Sequence, residues 1–244
     1  MARLIAGVAL LLLSASAAAA QTVDEIVEKH LAAIGGREAL GRIRTRVSTG
    51  KVTVTTPVGD LNGTVEAFAK APDKSRTLIK VDVSALGAGI VTNDQRFDGT
   101  TGYVIDSLNG DRDVAGAQLD ALKNNGFPTA WLDYKTRGHA VALIGKEMLG
   151  DRPVFVLEVT PKTGPKMRSW VDAETFMILK TSMTVDAPGL GIVEQIMEFG
   201  DYRTVDDVKV PFLVKSTNSA QTVTGVLSDV KHNVEIDEAS FRKP

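Results

Sequence analysis

The chain has 244 residues, 28 Lys and Arg against 30 Asp and Glu, 43% hydrophobic residues and no cysteine. Near-neutral charge with both signs scattered excludes a nucleic-acid binder, which needs a concentrated basic face, and a polybasic membrane anchor. The missing cysteine excludes disulfides, thiolate metal sites, cysteine nucleophiles and a lipid-modified cysteine.

Residues 1–20 read as a cleavable signal peptide. Arg3 gives a positive start, Leu4–Leu13 an apolar run, and Ala18-Ala19-Ala20 an A-x-A cleavage site before Gln21. The apolar run is far shorter than the roughly 20 residues that span a bilayer. Cleavage leaves residues 21–244 with 27 basic and 30 acidic side chains. No composition break marks a linker, so a single domain is expected, exported to the periplasm or secreted, soluble and not lipid-anchored. A chain of this size buries roughly 70% of its unfolded surface without covalent staples.

Thr22-Val23-Asp24-Glu25 has the form of a capping box. Val23, Ile26, Val27, His30, Leu31 and Ile34 follow at helical spacing on one face, and Gly35-Gly36 ends the helix. Arg37–Ile43 reads as a short second helix. From Thr45 the period changes to two. Arg46–Thr56, Asn62–Ala71, Ser75–Val83 and Ala88–Phe97 read as strands, and Tyr103–Asp106 follows the Asp98-Gly99 turn. Asn109-Gly110 is the strongest two-residue hairpin signal. Ala115–Asn124 looks helical, Gly126-Phe127-Pro128 stops it, and Thr129–Lys135 adds a turn. Strands resume at His139–Lys146 and run to Thr222–Asn233.

Pro153–Phe212 carries the clearest strand signal. Apolar residues alternate at Phe155/Leu157/Val159, Met177/Leu179/Met183/Val185, Val193/Met197/Phe199 and Val210/Phe212/Val214, with Glu158, Lys180, Glu194, Glu198, Lys209 and Lys215 between them. This is the pattern of antiparallel strands with one dry face and one wet face. About a dozen strands and a few helices make an α+β domain. Its large antiparallel sheet must curve into an unclosed β-barrel, with the helices covering the concave face.

Catalytic signals are weak. His30, His139 and His232 lack partners at metal-ligand spacing, so no metal is expected. Ser48–Lys51 and Ser228–Lys231 match S-x-x-K, and Lys162-Thr163-Gly164 matches K-T-G. The tetrads lie in strand-like runs, where residues three apart point to opposite faces, and the triplet lies in a turn. The acidic run Asp106–Asp113 lacks the glycine and glutamate positions of a calcium loop. Methionines cluster at Met148, Met167, Met177, Met183 and Met197 beside Trp170, Phe155, Phe176 and Phe199. They form either an ordinary core or an adaptable apolar pocket. Strand alternation alone puts Phe155, Leu157, Met177, Leu179, Met183, Val193, Met197, Phe199 and Phe212 on the face that would line such a pocket.

FDGTTGYVID, WLDYKTRGHAVALIGKEMLGDRPVFVLEVT, the W-x-D-x-x-T hairpin WVDAETFMILK, FGDYRTVDDVKVPFLV and the N-x-x-I-D-x-x-x-F terminus follow the first helix in order. Across essentially the whole processed chain this resembles the LolA-like superfamily of exported outer-membrane lipoprotein-sorting and lipoprotein-carrier proteins. The resemblance implies an unclosed barrel lidded by helices. It also implies non-catalytic carriage of a lipid or acylated ligand without a cofactor, between membrane donor and acceptor proteins. Lipoprotein carriers of that family hold the lid closed with an arginine, which no one position here matches. Two other classes stay open: an envelope hydrolase assembled from distant residues such as His139 or His232, and a scaffolding module that pairs through an exposed sheet edge.

Overall fold

The computed structural model describes residues 21–57, 59–187 and 191–244. The segment read as a signal peptide, and the centre of the turn after Ala187, lie outside the described residues. Thirteen strands form one antiparallel sheet: β1 (Thr45–Thr56), β2 (Gly59–Lys70), β3 (Lys74–Asp82), β4 (Ile90–Phe97), β5 (Gly102–Asp106), β6 (Arg112–Val114), β7 (Ala140–Leu149), β8 (Arg152–Thr160), β9 (Met167–Asp172), β10 (Ile178–Ala187), β11 (Gly191–Val205), β12 (Val208–Thr217) and β13 (Thr222–His232). The helices are α1 (Val23–Ala33), α2 (Gly36–Arg42) and α3 (Gly116–Asn124).

The strand order is β6-β5-β4-β3-β2-β1-β13-β12-β11-β10-β9-β8-β7. Two meanders therefore meet at the β1–β13 pair, and the sheet ends in free edges at β6 and β7. It is an unclosed half-barrel. Register shifts at Thr49/Gly50, Leu143/Gly145 and Ile178/Lys180 bend it, as bulges do. At the first of these the strands approach so closely that a Cβ on Gly50 would lie 2.4 Å from the Val226 carbonyl oxygen.

Turn chemistry departs from the sequence reading in two places. Tight two-residue hairpins form at Asp206-Asp207, with φ of +47° and +65°, joining Val205 to its partner Val208, and at Gly150-Asp151, joining Leu149 to Arg152. Asn109-Gly110 instead sits in a wider loop, because the Asp106 carboxylate accepts from the Leu108 and Asn109 amides at 2.9 and 3.0 Å. The alternation also fails on β8. Val154 and Val156 are as buried as Phe155 and Leu157, because Trp170 and Leu149 form a small cluster on the outer face there.

The capping box of α1 is formed in both directions: the Glu25 amide donates to Thr22 Oγ1 at 3.2 Å and the Thr22 amide to Glu25 Oε2 at 2.9 Å. The helix buries Ile26, Val27, His30 and Leu31 in the main core with Phe155, Leu157, Val171, Met177, Ile178, Val208, Val210 and Phe212. The α1–α2 joint docks on the Asp206-Asp207 hairpin, where the Lys209 amide donates to the Ile34 carbonyl at 3.0 Å. A Cβ on Gly35 (φ +126°) would lie 2.4 Å from the Asp207 carbonyl oxygen, whereas Gly36 (φ +86°) has nothing within 4 Å. Both alanine substitutions carry backbone strain. Gly35→Ala should also push the helices off the hairpin and lower stability by at least about 1 kcal/mol more than Gly36→Ala. Equal losses in chemical denaturation would show that this contact does not hold the helices down.

Candidate functional site

The concave face is only partly covered. Its cover continues beyond α1 and α2 as the segment 115–139, which crosses from the β6 edge to the β7 edge. Leu122 of α3 packs near Val114 and Gly102, while the Asn124 side-chain amide donates to the Thr163 carbonyl at 2.9 Å in the β8–β9 turn. The 3-10 turn Ala130–Asp133 is tied to α1. Asp24 accepts from Tyr134 and Lys135, and Arg37 bonds both Glu28 and the Leu132 carbonyl. Trp131 is buried edge-on against His30 and Tyr134.

Beneath this cover lie three hollows that share walls. A small one of about 60 Å³ sits among Trp131, Tyr134, His139, Met167 and Met183. Trp131, Met167 and Met183 also bound a second, of about 380 Å³, whose other walls include Ile178, Met197 and Phe199. Arg46, Met197 and Pro211 are common to the second and to a third, of about 610 Å³, that runs out over β1–β4. The third hollow mixes Val65, Ile79 and Leu227 with Ser48, Ser75, Thr77, Asn93, Gln95 and Ser216. A lining made almost wholly of Met, Val, Leu and Phe describes none of the three, since the first two also carry Asn125, Thr129, His139, Thr181 and Tyr202.

The residues singled out by alternation divide into groups. Met183, Met197 and Phe199 line the hollows. Phe155, Leu157, Met177 and Phe212 lie in the packed core under α1 and line none of the three. Leu179 falls in the β10 bulge, where it touches both the main core and the outer Trp170 cluster, so the Met177/Leu179/Met183 alternation is broken there. Val193 is half-buried opposite Val185. Met148 is exposed on the edge strand β7 and leaves the methionine cluster. Alternation passed over Met167, which pairs with Met183 across β9–β10, and Trp131, which lies in the 3-10 turn and in no strand. It also passed over Arg46, although Arg46, Ser48 and Val52 share one inward face of β1.

Arg46 is largely buried, and burial pushes its guanidinium down to about 10, so it remains a cation at neutral pH. Its Nε–H donates to His232 Nε2 at 2.9 Å. That bond requires the His232 proton on Nδ1, which faces Asp206 Oδ2 at 3.3 Å. Both ring nitrogens of His139 are buried without partners, and His30 Nδ1 meets the Phe176 carbonyl at 2.8 Å. Among the described residues no group of three or more His, Cys, Asp or Glu is placed to hold a metal. Among the same residues no helix is long and apolar enough to cross a membrane.

No protein-family model and no curated protein matches the chain. Solved structures do. An outer membrane lipoprotein-sorting protein domain from Vibrio parahaemolyticus superimposes with a TM-score of 0.55 at 14% identity, covering 89% of this chain and 94% of its own. A LolA superfamily protein from Nitrosomonas europaea gives 0.56 at 15% identity over 92% and 99%. A DUF1329 family protein from Desulfovibrio piger gives 0.56 at 13% identity over 90% and 97%. At these identities the likeness is one of fold, and the fold is that of the LolA-superfamily half-barrel.

All three imidazoles are held below their ordinary value, mainly by burial; for His139 and His232 neighbouring cations add to this. An unfolded histidine therefore takes up its proton at a higher pH than a folded one. Stability should be whole above pH about 6.5 and fall as the pH drops below it, before the carboxylates begin to protonate. The melting temperature should thus decline between pH 7.5 and 5.5. A flat profile over that window would contradict the burial of these rings.

Proposed function

We propose that the chain is an exported, soluble, non-catalytic carrier or binding protein for a hydrophobic ligand, a lipid or an acylated molecule, working in the manner of a lipoprotein-sorting protein. The observation that carries this reading is the unfilled trough. Core side chains pack solid under α1, yet Met167, Met183, Met197 and Phe199 a few ångströms away border open volume. Flexible thioethers on a rigid sheet suit chains of variable shape. The named relatives support the same direction, one of them described by outer membrane lipoprotein sorting.

A hydrolase reading gains nothing from the site. Among the described residues no Asp or Glu lines the three hollows, so His139, which borders the first, has no carboxylate there to orient it. The His232 Nε2 lone pair, which a general base would offer to a nucleophile, is occupied by Arg46. A scaffolding role would not call for an internal hollow.

Tryptophan at position 183 or 197 should enter existing space. Met183→Trp or Met197→Trp should abolish uptake of a fluorescent fatty-acyl probe at a stability cost below about 1 kcal/mol. Leu157→Trp, in the packed core, should overpack and cost about 1–3 kcal/mol or more. Thermal melting beside probe titration checks both. Marked destabilisation by the Met variants, with no probe binding to the parent, would remove the carrier reading.

A further inference from the structure

Arg46 projects from β1 into the junction of the second and third hollows, with its guanidinium 5.3 Å from the Phe127 ring centroid on the cover segment. Among the described residues the only hydrogen bond of its side chain is the Nε–H donation to His232. Among the same residues neither terminal nitrogen has a partner and no carboxylate lies within ion-pair distance. Asp206 faces His232 from the ring's Nδ1 side. The other cations of the trough differ from it: Arg76 is paired with Asp94, and Lys209 is exposed. A partly buried cation without a counter-charge is poorly compensated, and a guanidinium with both terminal nitrogens free and open to the hollow presents the fork that matches a carboxylate or phosphate.

The two sides of Arg46 have different chemistry. Towards β10 and β11 the wall is Met183 and Met197; towards β1–β4 it carries Ser48, Thr77 and Gln95. We propose that Arg46 binds the anionic group of an amphiphile whose hydrocarbon chain lies along Met183 and Met197, and whose polar remainder faces Ser48, Thr77 and Gln95. This inference rests on the carrier reading and deepens it: the cargo is a charged lipid, held by its anion as well as by its chain. A fatty carboxylate and an acyl phosphate share the necessary chemistry.

The test displaces a neutral fluorescent apolar probe from the processed chain at pH 8, using a fatty acid, a monoacyl phosphate and the fatty alcohol of the same length. At least one anion should compete at a concentration about tenfold or more below the alcohol, and the tighter of the two identifies the source of the charge. Arg46→Gln should erase that preference while leaving the alcohol within about twofold and the melting temperature unchanged or higher, because an unpaired buried charge has gone. Arg46→Lys, which keeps the charge without the fork, should fall between. Equal competition by anions and alcohol in the parent would overturn the inference and leave the carrier reading intact. So would an Arg46→Gln variant that weakens all three ligands alike, since the arginine would then be a clip on the Phe127 segment. If the parent takes up no probe at all, both readings fall together. Should Arg46→Gln fail to fold, the parent's ligand series and the lysine variant decide the matter.

Discussion

One mismatch of lengths governs this molecule. Thirteen strands measure roughly 58 Å across, whereas an 11-residue helix is roughly 16 Å long. The concave surface of the sheet is therefore larger than its helices can cover. Where α1 lies, Ile26, Val27 and Leu31 meet Phe155, Leu157 and Val171 and the interior is solid. Past the reach of the helix no described residue fills the same face, and it is hollow. Ser48, Thr77, Asn93 and Gln95 are tolerable on an inward face for that reason, since polar groups cost little where solvent or a ligand can satisfy them.

The treatment of buried charge on this sheet gives the hollow its character. Asp94 is nearly inaccessible, yet it is bound by Arg76 Nε and Nη2, both at 2.8 Å, and by Arg96 Nε and Nη2 at 3.1 and 2.8 Å. Burial pushes its carboxyl up, the two guanidiniums outweigh that, and it lies below the usual range. The C-terminal segment locks in the same way: Glu238 reaches Lys70 and Lys74, and the Arg242 carbonyl accepts from Arg96. Inside the trough Arg46 receives a histidine and an aromatic ring but no anion. Asp94, Glu238 and Arg76 thus have counter-charges, and Arg46 is left without one.

Much of the architecture was legible because it rests on local rules. The capping box at Thr22, the Gly35-Gly36 stop, the period-two runs and the Trp170–Thr175 hairpin all express themselves within a few residues. That hairpin turns because Asp172 Oδ1 accepts the Glu174 and Thr175 amides at 2.9 and 2.8 Å. What escaped is non-local. The bulge at Leu179 depends on pairing with β9, so counting by twos from Met177 overruns it. Whether Phe155 faces a ligand or a helix depends on where α1 lands, more than a hundred residues away in sequence. Arg46 carries no local signal, because its neighbours His232 and Phe127 are far along the chain.

The central pairing of β1 with β13 sets Arg46 opposite His232, the first strand against the last. Every other adjacent pair in the sheet joins strands consecutive in sequence. Each meander can thus zip up through short loop closures, whereas the seam between them requires closing a loop of nearly the whole chain, the slowest kind of contact to form. Folding is then a problem of two halves awaiting one late seam. Arg46 and His232 sit on that seam, so the cationic floor of the trough comes into being only when the last strand arrives.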